Sequence, residues 1–240
     1  MNNYGYRTQP STWDKLTGST ALGAQGAVVI KQTYVLFALS VFSALAGGYI
    51  GATSETLAHF FSGWLGWIAA LVLLNVVPMI AMAVRHNPVL GVTALVADGF
   101  VAGIAMSPLL WLANSMAPGL IFAALMITAF VFLGVSAYVM TSSRVFSAPK
   151  GLMTGMFFAI IGAMVLNGFM HLGIVGIFIS VLVGAFGVFS LVFSTSSVLN
   201  SPDADSPIPG ALMLFAGVFN VFVATLSILL SLFGGGGRRN

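Results

Sequence analysis

Cysteine is absent from the 240 residues, and charge is scarce: eight Lys and Arg with five Asp and Glu make up 5% of the chain. Without cysteine there is no disulfide framework, no thiolate nucleophile and no Cys-based metal site. So few charges do not describe the surface of a soluble domain, and the scattered Lys and Arg form no phosphate track, which excludes nucleic acid as a partner. His59, His86 and His171 lie in separate loops without metal-ligand spacing. No serine stands in a nucleophile motif with an identifiable base. Catalysis is therefore not expected, and neither a metal, a cofactor nor a small-molecule substrate is implied. Met1 to Gln25 has no apolar core and carries Arg7, Asp14 and Lys15 among polar residues, so it does not read as a signal peptide.

What the chain has in abundance is apolar sequence: 59% hydrophobic residues and a mean hydropathy of +1.06. A transmembrane helix needs ~20 mostly apolar residues, and the runs predict seven of them, at 28–51, 63–84, 89–113, 118–141, 151–170, 173–199 and 210–233. The expected architecture is an all-α polytopic membrane protein, a seven-transmembrane helix bundle dissolved in the lipid bilayer. A flexible cytoplasmic tail, 1–27, precedes it, and a Gly/Arg tail, 234–240, follows. Trp64 and Trp67 stand at the entry of the second run, where aromatic rings rest at headgroup depth. Counting from a cytoplasmic N-terminus, Arg7, Lys15, Lys31, Arg85, Arg144 and Lys150 all fall on the inner side, as the positive-inside tendency requires. Only Arg238 and Arg239 disagree. The loop from Asn200 to Pro209 carries Asp203 and Asp205, which are expected to solvate it.

Asp98 is the one acid deep in an apolar run. On a helix it shares a face with Gly91, Ala94, Ala102 and Ala105, all small, and small residues mark faces where membrane helices approach closely. Asp98 is therefore expected to point toward other helices, with either a structural hydrogen bond or an ion pathway as its use. Comparable stripes are Ser40, Ser43, Gly47 and Gly51 in the first run, Gly187, Ser190, Ser194 and Ser197 in the sixth, and Met213, Ala216, Asn220, Ala224 and Ser227 in the seventh. Gly47 with Gly51, Gly99 with Gly103, and Gly151 with Gly155 also fit a small-xxx-small packing pattern. Asn75, three residues before Pro78, suggests a bent second helix in which the amide satisfies the carbonyl that proline frees. Pro108 lies within the third run as a second candidate kink. Asn167 and Asn220 are expected to act as interhelical hydrogen-bonding groups, Asn220 also as a candidate polar group of an ion pathway.

Four segments, Thr33 to Leu45 (TYVLFALSVFSAL), Asp98 to Leu110 (DGFVAGIAMSPLL), Ser136 to Thr141 (SAYVMT) and Ala211 to Leu230 (ALMLFAGVFNVFVATLSILL), in this order and spacing resemble the Bax inhibitor-1 family, most closely its bacterial YccA-like branch. The resemblance implies a bundle with a central C-terminal helix ringed by the other six, set in the bacterial inner (cell) membrane with the N-terminus cytoplasmic. It also implies a regulatory partner, a membrane AAA protease of the FtsH type, or association with another membrane complex. Cation-leaking members carry acidic residues near the cytoplasmic ends of the sixth and seventh helices; the matching positions here are Ser194 and Gly217. Asp98 falls where many members have an acid in the third helix. Two alternatives stand beside the regulatory reading: a cation or proton leak using Asp98, with Asn220 and Ser194 as further members of an intramembrane polar site, and an accessory subunit of a large bioenergetic complex.

Overall fold

The computed structural model describes residues 23–147, 149, 151, 155, 156, 159, 173–200 and 206–233. Most of the expected fifth span, 151–170, lies outside the described residues, as do the tails 1–22 and 234–240, Lys150, Asn167, His171, Asp203 and Asp205. Eight helices occur among the described residues: α1 (Gly23–Thr53), α2 (Glu55–Ser62), α3 (Trp64–Ala83), α4 (Pro88–Ala105), α5 (Ser107–Met116), α6 (Gly119–Thr141), α7 (Gly173–Asn200) and α8 (Ile208–Phe233). Six of them contain stretches long and apolar enough to cross a membrane: Gly26–Thr53, Trp64–Ala83, Pro88–Ala105, Gly119–Thr141, Gly176–Asn200 and Ile208–Phe233.

Local chemistry sets where these helices begin. The Asn87 side chain accepts hydrogen bonds from the amides of Val89 and Leu90, 3.1 Å each, and Pro88 occupies the first turn of α4. There its missing N–H costs nothing and its fixed φ already suits a helix. Ser54 caps α2 by accepting from Leu57 N at 3.3 Å. Ser206 accepts from Ile208 N at 3.2 Å at the start of α8.

The run 89–113, expected as one helix, is two. Pro108 has no amide to give the Ile104 carbonyl, and the Ser107 hydroxyl donates to that carbonyl instead. The chain breaks at Met106 (φ −83°, ψ 5°) and restarts as α5. Pro78 acts differently: α3 runs through it without interruption. The expected remedy is not the one used, because the Asn75 amide donates to Leu71 O at 2.7 Å, not to the Leu74 carbonyl four residues before the proline. An Asn side chain on a helix reaches the carbonyl of its own preceding turn most easily.

The last helix is the hub. α8 packs against α1, α3, α4, α5, α6 and α7, and its buried residues, among them Ala211, Leu214, Phe215, Gly217, Val221 and Leu226, occupy more than one side of it. The stripe expected to face the bundle is only partly inward: Ala224 is buried, Asn220 and Ser227 are half-buried, and Met213 and Ala216 are exposed. α8 buries large apolar residues such as Leu214, Phe215 and Leu226 as readily as small ones, so the expected stripe is only part of its packing face.

The two ends of the bundle are distinct. At one end Thr33 Oγ1 donates to Pro207 O (3.3 Å), Ser206 Oγ to Arg85 O (2.9 Å), and Phe146 N to Ser196 Oγ (2.9 Å). These bonds gather the start of α1, the α3–α4 turn, the segment after α6, the end of α7 and the start of α8. Lys31, Arg85 and Arg144 belong to the same end. At the other end α2 packs on α5, with His59 6.1 Å from the Trp111 ring and 3.4 Å from Glu55.

Candidate functional site: a buried carboxylate beside an interlocked seam

Asp98 is only 6% exposed. It lies on the side of α4 that also buries Gly91, Leu95, Gly99, Ala102 and Gly103. Of the small residues expected on its face, Gly91 and Ala102 are buried, and Ala94 and Ala105 are half-buried. Leu95 and Ala102 join a core with Leu36 and Phe37 of α1 and with Ala211, Leu212, Leu214 and Phe215 of α8. The carboxylate thus sits where α4 meets the first and last helices. No hydrogen bond among the described residues reaches it; the nearby hydroxyls of α1 are committed to α4 backbone.

Those hydroxyls belong to a seam of backbone contacts. Ser43 Oγ donates to Val96 O at 2.6 Å and Ser40 Oγ to Leu95 O at 3.5 Å. A Cβ added to Gly99 would run into the Ser40 carbonyl, one on Gly47 into the Phe100 carbonyl, and one on Gly103 into the Ala44 carbonyl. A Cβ on Gly51 would stand 2.7 Å from Ser107 Oγ. Ser40, Ser43, Gly47 and Gly51, expected to form a packing stripe, therefore all face α4, with Gly51 also meeting the first residue of α5. Both helices carry glycine at the crossing, which allows backbone to approach backbone.

Ser194 is buried on α7. Asn220 is half-buried and lies opposite Gly187, where an added Cβ would be 3.1 Å from Asn220 Cβ. Gly217 faces Leu191, whose side chain would stand 2.8 Å from its Cβ. No hydrogen bond links Asp98, Ser194 and Asn220 among the described residues, so the polar groups nominated from sequence are dispersed over two seams. Asn75 lies on the exposed side of α3. Among the described residues no three His, Asp or Glu side chains gather closely enough to hold a metal ion.

Three features escape a reading of the sequence. Ser136 Oγ on α6 and Thr195 Oγ1 on α7 are buried without a hydrogen-bond partner among the described residues, and Ser206 ties α8 to the Arg85 carbonyl across 121 positions. Isolated serines and threonines carry no signal of their partners, because each can equally bond its own helix.

The sequence model of the family described as inhibitor of apoptosis-promoting Bax1 matches residues 26–235. The chain is 31% identical over 208 residues to an uncharacterized protein of Campylobacter jejuni, covering 85% of this chain and 88% of that relative. It is 32% identical over 208 residues to the Escherichia coli K12 protein named modulator of FtsH protease YccA, covering 84% of this chain and 89% of that relative. A protein of Escherichia coli O6:H1 named inner membrane protein YccA matches to the same extent. With six helices long and apolar enough to cross a membrane among its described residues and a family match that takes in nearly all of those residues, the chain is a multi-pass membrane protein and belongs to the Bax inhibitor-1 family.

Proposed function

We propose that the chain is a membrane-embedded regulator of an AAA protease of the FtsH type, acting by occupancy rather than by chemistry. The observation that carries this reading is the similarity, over 84% of the chain, to a relative named as a modulator of FtsH protease. In this reading the polar residues ahead of α1 are the handle that the protease grips, and the bundle around α8 resists being drawn out. The protein spans the bacterial inner membrane seven times, with residues 151–170 as the fifth span and the N-terminus in the cytoplasm. The gathering of Lys31, Arg85 and Arg144 at one end of the bundle supports that orientation.

The test is extraction in mild detergent of the full chain and of a variant lacking residues 2–22, followed by identification of what copurifies. An FtsH-type protease recovered with the full chain and lost with the shortened one supports the reading. Equal recovery by both removes the handle, and a large bioenergetic complex in place of the protease favours an accessory subunit.

One observation favours a second reading, a cation or proton leak: Asp98 is buried beside the central helix, and intramembrane carboxylates often mark ion routes.

A further inference from the structure

We infer that the α1–α4 seam is the mechanical lock that sets how long the chain withstands extraction from its amino-terminal side. The inference rests on the reading above, in which a protease pulls on the residues that precede α1. The first described helix to carry that load is α1, and everything that keeps it in place must fail before the pull reaches later elements.

The geometry of the seam suits this role. α1 and α4 run in the same direction, and their contacts advance together: Ser40 with Leu95 and Gly99, Ser43 with Val96, Gly47 with Phe100, Gly51 with Gly103. From Ser40 to Gly51 these contacts cover a rise of about 16 Å along α1. A pull along the helix axis therefore loads them together, in shear, instead of one at a time.

The glycines place backbone against backbone, so the side chains that flank them on α1 cannot pass the α4 carbonyls until the helices separate. In lipid that separation is opposed by lost dispersion contacts and by two hydroxyl-to-carbonyl bonds that have no water to replace them. The α7–α8 seam is also lined with glycine but is built differently. Gly184 meets the Ala224 side chain, Gly217 meets mainly the Leu191 side chain, and Gly187 meets the Val221 amide and side chain. Side chains can move aside where backbone cannot, and this seam is loaded only after α1 has left.

The experiment uses the full chain reconstituted in vesicles with an FtsH-type protease and ATP, reading the disappearance of intact chain with time. Ser43→Ala removes one bond and Gly103→Ala wedges the seam. Gly187→Ala, with its melting temperature measured alongside, serves as the comparison in the other seam. The expected result is degradation accelerated about threefold to tenfold by Ser43→Ala and Gly103→Ala, with Gly187→Ala staying within about twofold of the unaltered chain at comparable loss of melting temperature. Degradation that tracks melting temperature alike in both seams overturns the lock.

A second measurement does not depend on the protease: the N-terminus of the bilayer-embedded chain is pulled mechanically. The first rupture should release α1, at a force lowered by Ser43→Ala and Gly103→Ala and unchanged by Gly187→Ala. An unchanged first rupture in the two seam variants overturns the inference. Failure of the unaltered chain to bind the protease overturns the proposed function alone and leaves the pulling result to decide the lock.

Discussion

Ser43 on α1 donates a 2.6 Å hydrogen bond to the Val96 carbonyl on α4, joining two helices whose residues lie 53 positions apart. Such bonds between membrane helices contribute about 0.6 kcal/mol on average and up to about 1.7 kcal/mol. The short distance and half-buried position place Ser43 in the upper part of that range. Ser43→Ala should lower unfolding stability in detergent by about 1 kcal/mol, with the helical circular-dichroism signal of the folded state unchanged. A loss below the error of the denaturation curve would show that the hydroxyl finds an equal partner on its own helix.

Glycines at the seam and glycines facing lipid should behave oppositely. Around Gly103 every near neighbour of an added Cβ is backbone, including Gly48 N at 2.6 Å and Gly47 C at 3.0 Å. Gly103→Val should therefore cost upwards of about 2 kcal/mol, or prevent folding. Gly134 on α6 has nothing within 4 Å of an added Cβ. Gly134→Ala should be neutral or stabilising by up to about 1 kcal/mol, since alanine restricts the unfolded chain and favours helix. Thermal unfolding of the two variants side by side checks the pair; equal destabilisation would contradict the placement of α6.

Asp98 is a buried carboxylate without a described donor, so its replacement should separate stability from use. Asp98→Asn keeps the size of the side chain and should leave the bundle as stable as the parent or more so, by about 1 kcal/mol, because the desolvation of a charge-bearing group is removed. If the leak reading holds, the same variant should lower cation or proton flux in proteoliposomes. Identical flux from parent and variant would take the carboxylate out of any conduction mechanism.

Ser206 serves two segments at once, accepting from Ile208 N at 3.2 Å and donating to Arg85 O at 2.9 Å. Ser206→Ala removes a helix cap and a tertiary bond, a combined loss of about 1–2 kcal/mol. Faster amide exchange should appear in the 84–87 turn and the first turn of α8, and not at the opposite end of the bundle. Exchange that rises uniformly would mean the clasp is not local.

Individual residues show how far the sequence was legible. The Ser40, Ser43, Gly47 and Gly51 stripe pointed to a packing face, and that face meets α4 and, at Gly51, the start of α5. Gly91 and Ala102 correctly marked the side of Asp98 that is buried. Met213 and Ala216 did not, because α8 turns the neighbouring Leu212, Leu214 and Phe215 inward and leaves those two exposed. Asn75 had a plausible partner in the carbonyl freed by Pro78, yet its amide bonds the preceding turn. Pro108 was visible as a kink, but that Ser107 takes over the Ile104 carbonyl and lets the helix end there depends on how the chain is packed at Gly51.

Composition and the length of apolar runs by themselves determined that this is a helical membrane protein, because in hydrocarbon every backbone amide must be satisfied within its own helix. They also located its scarce polar groups along the chain. Only the tertiary structure decided which helix faces meet, that Asp98 lies beside an interlocked α1–α4 seam, and that Arg85 is clasped by Ser206. The reason is that lipid removes the hydrophobic contrast between inside and outside. The seams are then chosen by close fit and by hydrogen bonds to particular carbonyls, which no pattern of apolar residues records.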